Sequence, residues 1–165
     1  MTKVLRKGAV GAMMDEYERA AADLSGLLQR ISDEDFERAR DLETGDEDCR
    51  SIQTIMRHVV RAGYSYAAYV HEAFGGEANR PEIPLGTRLE TLDRFQEMLA
   101  HTVGTLEGKW ELANEEIAAV QIRSRWGTVY DMEQMLEHAI VHVLRHRRQI
   151  ERFLTEPQFS GRGAK

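Results

Sequence analysis

Between Asp131 and Leu154 the chain reads DMEQMLEHAIVHVLRHRRQIERFL, and three of its six histidines, His138, His142 and His146, fall there at four-residue intervals. At about 100° per residue their directions differ by only about 80° in all, so one helix would carry the three imidazoles down one side. Met135, Gln149 and Phe153 share that side, which makes it mostly apolar and turns it toward a core. Such a segment restricts the fold. It has to be helical, and other elements must cover it while using the ring nitrogens buried with it.

Neutral imidazole suits zinc, nickel, copper or iron, and two rings at i and i+4 reach one ion from consecutive turns. His138 with His142 has that spacing, and so does His142 with His146. Spacing alone does not choose between the pairs. Core histidines that merely hydrogen-bond are the commoner explanation of an isolated pair, since the spacing arises easily by chance. A further histidine arriving from a second helix would distinguish the two explanations.

The length of 165 residues fits one domain, residues 1–165, with a core large enough to fold without disulfide or metal. A net charge of −6 argues against nucleic acid and against an anionic membrane surface as partners, and leaves a small anionic ligand open. Cys49 is the single cysteine, so no internal disulfide framework exists. Its neighbours Asp46, Glu47 and Asp48 raise a thiol pKa, which makes it a poor nucleophile on an expected loop. Lys3, Arg6 and Lys7 precede no long apolar run, and no stretch of about 18 apolar residues occurs. The expectation is a soluble, cytoplasmic protein.

Helical spacing runs from about Val10 to Ile31, through Met14, Tyr17, Ala21, Leu24 and Leu28. A polar passage from Ser32 to Cys49 reads as a covering loop with room for one helical turn. Ser51 is the expected N-cap of a second helix, IQTIMRHVVRAGYSYAAYVHEAF, stopped by Gly75 and Gly76. His58 lies in its second turn, with Ile55, Ala62, Ser65 and Tyr69 on the same side. Residues 77–86, with Pro81 and Pro84, read as an extended link across one end of a bundle. Thr87 opens a third helix. From Gly108 to Gly127 the periodicity weakens and admits a short hairpin or an irregular flap. Thr128, with Asp131 three residues on, reads as a capping box that starts the histidine helix. Residues 155–165 read as a loose tail. The sum is an all-α chain, a four-helix bundle of antiparallel type with long crossover connections.

In such a bundle His58 becomes the histidine from a second helix, and three imidazoles would leave an ion with open positions. His142-Val-Leu-Arg-His146 lacks the glutamate of HExxH, which disfavours peptide hydrolysis. The stretch Ser51 to His58, followed by His142-Val-Leu-Arg-His146-Arg147-Arg148-Gln149, resembles the DinB-like or YfiT-like metal-dependent bundles. Their marks are a histidine early in helix two and an H-x-x-x-H-R-x-Q run in helix four. The resemblance spans nearly the whole chain. It implies His58, His142 and His146 as metal ligands, with His138, Tyr69 and Gln149 beside them in a second layer or pocket. The implied cofactor is a divalent transition metal, zinc or nickel first, with iron or manganese as alternatives. The implied activity is transfer or isomerisation with a low-molecular-weight thiol such as mycothiol or bacillithiol and an electrophilic substrate, in a chain that can form a homodimer. The other outcome is a non-catalytic metal- or ligand-binding bundle.

Two departures stand out: Arg148 replaces a common glycine, and no aromatic precedes Ser51. Arg148 points away from the histidine face on the helical wheel. Arg145, Arg148 and Arg152 lie along one side of this helix and could clamp carboxylates, but with 28 acidic residues in the chain salt bridges are the favoured expectation, and His71 and His101 are expected on the surface. Tyr64 and Tyr66 are expected in core or interface, and Trp110 and Trp126 over the bundle end.

Overall fold

The computed structural model describes residues 4–155; of the expected tail, Thr155 instead ends the last helix, and residues 156–165 lie outside the described residues. Four long helices, α1 (Gly8–Leu28), α3 (Ile52–Ala73), α4 (Arg88–Leu106) and α6 (Met132–Thr155), form the bundle. Short helices α2 (Asp33–Glu37) and α5 (Asn114–Ala119), a 3-10 turn at Glu47–Cys49, and a hairpin of β1 (Ile122–Arg123) with β2 (Val129–Tyr130) fill the connections. In α1, Val10, Met14, Tyr17, Ala21, Leu24 and Leu28 recur at three- and four-residue steps, and all are buried. Their stripe meets the equivalent stripes of α4 and α6, which produces one continuous core.

Helix α1 packs between α4 and α6, and α3 packs between the same two, so α1 and α3 lie on opposite corners. Side-chain pairs fix the directions. Gln96 Nε2 donates to Ser25 Oγ, and Arg88 Nη1 reaches the Leu28 carbonyl, so α1 and α4 run antiparallel. Tyr66 meets His138 while His58 meets His146, so α3 and α6 are antiparallel too. Gln53 bonds the Gly86 carbonyl just before α4, and Tyr64 packs on His101, so α3 and α4 run parallel.

The link after α3 therefore differs from the sequence expectation. It returns along the length of the bundle instead of crossing one end, because parallel neighbours can be joined only by chain long enough to go back to the start. Arg94 Nη1 to the Pro84 carbonyl, together with the Arg80–Glu72 ion pair, fastens it. Gly63 lets the parallel pair close up: a Cβ there would sit 2.3 Å from Met98 Sδ.

The caps follow the sequence with one correction. Ser51 and Thr54 form a capping box on α3, and Thr87 and Glu90 form one on α4. Helix α6 begins later than the Thr128 reading placed it. Asp131 Oδ1 accepts from the Gln134 amide and Gln134 Oε1 from the Asp131 amide, so the reciprocal pair is Asp131/Gln134. Thr128 belongs to the hairpin, where its carbonyl accepts from the Ser124 amide and hydroxyl. The covering loop holds α2 as its helical turn, capped by Ser32, and Phe36 from that turn is fully buried. Gly75, at φ +79, ends α3 where expected.

Candidate metal centre

The second turn of α3 presents His58 to α6, and consecutive turns of α6 present His142 and His146 to α3. One ligand atom from each of the three rings falls in a group within 4.8 Å of one another. The Nε2 atoms of His58 and His142 are 3.0 Å apart. A tetrahedral ion with bonds of about 2.0–2.1 Å would hold ligand nitrogens about 3.4 Å apart, so the spacing is close to that of a filled site. His142 and His146 are buried, and His58 is half-buried.

Burial sets the protonation. His142 is pushed down to about 2, first by desolvation and then by the fields of His146 and His58. Desolvation also lowers His58, against the opposing pull of Asp48. His146 is lowered by the same cause, partly offset by its hydrogen bond to Gln149. All three are neutral near pH 7 and offer lone pairs, which is the form a metal takes.

The outward nitrogens are held as well. His146 Nδ1 lies 2.9 Å from Gln149 Oε1, and His58 Nδ1 lies 3.4 Å from Asp48 Oδ2. Donation of Nδ1–H to an oxygen fixes the tautomer that leaves Nε2 free for an ion. Burial would raise the Asp48 carboxyl, but the guanidinium groups of Arg57 and Arg61 outweigh it and hold the group below its ordinary value. Asp48 is thus a permanent anion behind His58. Sequence reasoning counted it only among the neighbours of Cys49, and no periodic signal marks a residue of a 3-10 turn that packs on α3.

His138 stands one turn before His142 and outside the three-nitrogen cluster. Its ring stacks on Trp126 at 5.5 Å and meets Tyr66 and Tyr130 edge-on. A cavity of about 300 Å³ opens beside the cluster, with His58, His142 and His138 in its wall. Tyr69 lines it, as its place on the His58 face implied, and Trp126 covers it from the turn of the hairpin. Tyr69 holds that turn by accepting a hydrogen bond from the Arg125 amide at 3.0 Å.

Tyr66 was expected only in core or interface; it is buried in the core and also forms cavity wall. Desolvation pushes its hydroxyl up to about 12, so it remains a donor at neutral pH. Arg145 was expected in a salt bridge, yet it lines the cavity and has no carboxylate partner among the described residues. Arg148 is exposed and away from the site, as the wheel placed it. His71 and His101 border a separate cavity of about 260 Å³ between α3 and α4, not open surface alone. The Cys49 thiol is raised, chiefly by burial and further by its hydrogen bond to Asp46, while Gln149 opposes. It is no thiolate at neutral pH.

The model of the DinB family matches residues 2–156. The chain belongs to the DinB family. Neither curated proteins nor solved structures give a match. Among the described residues no helix is long and apolar enough to cross a membrane.

Proposed function

We propose that the protein is a metal-dependent transferase or isomerase working with a low-molecular-weight thiol. In this reading His58, His142 and His146 hold one divalent transition ion, zinc or nickel first, with iron or manganese as alternatives. The observation that carries it is the convergence of three neutral imidazole nitrogens beside a cavity of about 300 Å³ that reaches two of the rings. An ion bound there would supply the positive charge that lets a coordinated thiol ionise at neutral pH.

The chain supplies the remaining parts. Gln149 and Asp48 orient the rings, and Trp126 with Tyr69 closes one side against water. The Tyr66 hydroxyl can donate to an oxygen that gains negative charge on the electrophile. The thiol sulfur forms a bond to the electrophilic carbon, its proton passes to solvent, and the leaving group departs with its bonding electrons. In an isomerisation the sulfur adds and later leaves with that pair. No protein nucleophile is needed, and the raised Cys49 thiol could not serve as one. A reducing, cytoplasmic setting and a homodimer belong to the same reading, with exposed Val141 and Leu144 on α6 as apolar surface for the second copy.

The test is a panel of mycothiol, bacillithiol and glutathione against activated electrophiles, with wild type, His142→Ala and Cys49→Ser. Turnover should vanish in His142→Ala and persist in Cys49→Ser. Metal-loaded protein inert across the panel would make the site a binding module.

A further inference from the structure

The cavity beside the histidine cluster has an unusual charge balance for a chain with 28 acidic and 22 basic residues. Arg61, Arg125 and Arg145 line it, and no aspartate or glutamate does. Arg61 is engaged with Asp48. Arg125 and Arg145 have no acidic partner among the described residues, and of the arginines without one these two are the ones that line the cavity. The two come from different elements, Arg125 from the hairpin turn and Arg145 from α6. Both are near enough to the Tyr66 hydroxyl for their charge to act on it. Two unneutralised guanidinium groups and a hydroxyl donor thus share one cavity that also opens onto His58 and His142.

We infer that the molecule seated in this cavity carries a carboxylate held by Arg125 and Arg145, with its apolar body against Trp126 and Tyr66 and its reactive end at the histidine cluster. The placing of the reactive end rests on the proposed thiol chemistry; the carboxylate site does not. Guanidinium groups match a carboxylate in geometry and charge, and such charge-assisted hydrogen bonds are about twice as strong as neutral ones. The net charge of −6 repels anions at a distance, so a local cationic pair is what makes an anionic substrate bindable. Both arginines are exposed, which makes the attraction salt-dependent.

Isothermal titration of zinc-loaded protein at low ionic strength would test this with two isosteric pairs: 3-mercaptopropionate against 3-mercaptopropionamide, and 3-phenylpropionate against 3-phenylpropanamide. In at least one pair the carboxylate should bind about tenfold more tightly. The pair with the larger ratio tells whether the charge belongs to the thiol or to the electrophile. The preference should shrink to about twofold or less in Arg145→Gln and in Arg125→Gln, survive in Arg148→Gln, whose side chain does not line the cavity, persist in metal-stripped protein, and weaken in salt. Equal binding within both pairs overturns the inference, and so does a preference that survives the double arginine variant or disappears with the metal alone. Failure of the thiol proposal reads differently: the mercapto compounds would then gain nothing from the metal, while the carboxylate preference stands.

Discussion

The Nε2 atoms of His58 and His142 approach to 3.0 Å although 84 residues separate them in the chain. Two ring nitrogens this close need either a shared proton or a cation between them. A ligand atom of His146 lies within 4.8 Å of one on each of these rings, and three neutral nitrogens converging in this way suit a divalent cation better than a single hydrogen bond between two of them.

Purified protein should therefore carry about one divalent metal per chain. Elemental analysis should show loss of the ion in His58→Ala, in His142→Ala and in His146→Ala, and retention in His138→Ala, whose ring stands apart in the cavity. Full occupancy in the first three variants would refute the assignment.

Asp48 acts on His58 from behind, through the outward nitrogen. Asp48→Asn should keep all three nitrogens and weaken zinc binding about 10–100-fold in a chelator competition. Unchanged affinity would reduce Asp48 to a counter-ion for Arg57 and Arg61.

Acid should destabilise the metal-free protein through His142. Its folded pKa lies far below the unfolded value of about 6.5, so as pH falls from about 6.5 the unfolded chain takes up a proton that the folded one refuses. Stability is full above that pH and is lost below it, by up to about 1.4 kcal/mol per pH unit for one such group. Urea titrations of stripped protein at pH 7.5, 6.5 and 5.5 should show this decline, and His142→Gln should make it shallower, with His58 and His146, lowered by the same cause, accounting for what remains. Identical slopes in the two proteins would mean that His142 is not held neutral.

Tyr69→Phe should loosen the cavity cover while sparing the cluster. Losing the acceptor for the Arg125 amide costs about 1 kcal/mol at most. Amide exchange should quicken at residues 122–130 while metal content stays constant. No change in exchange would show the hairpin to be fixed by other contacts.

Light scattering at micromolar concentration should give about twice the 18.9 kDa chain mass. A value equal to one chain removes the homodimer from the proposal.

The four helices were legible because each spends its apolar residues at helical spacing, and the caps at Ser51 and Thr87 were legible because short polar side chains mark where backbone amides lack partners. The grouping of His58 with His142 and His146 came from the resemblance, since wheel geometry left the 138/142 and 142/146 pairs equivalent. The parallel course of α3 and α4 was not legible, because link length permits either direction and only packing selects one. Asp48, Tyr66 and Arg125 were missed, and Arg145 was weighed as a carboxylate clamp but set below a salt bridge, for a related reason. Each gains its place from a partner on another element, and a single sequence records no such partner. Thr128 misled because it stands before an acidic residue in a pattern that Asp131 and Gln134 satisfy better.

Helices α3 and α6 are brought together only after the chain has laid down α4, α5 and the hairpin between them. An ion shared by His58 and His142 would close a loop of that whole length, as a cross-link does in secreted proteins. A chain with one cysteine cannot form such a tie within itself by oxidation. By loop-closure reasoning a link of that span removes about 4–5 kcal/mol of freedom from the unfolded chain, less whatever the unfolded histidines retain of the ion. Metal supply would then govern how long the folded protein survives proteolysis as well as what it can bind.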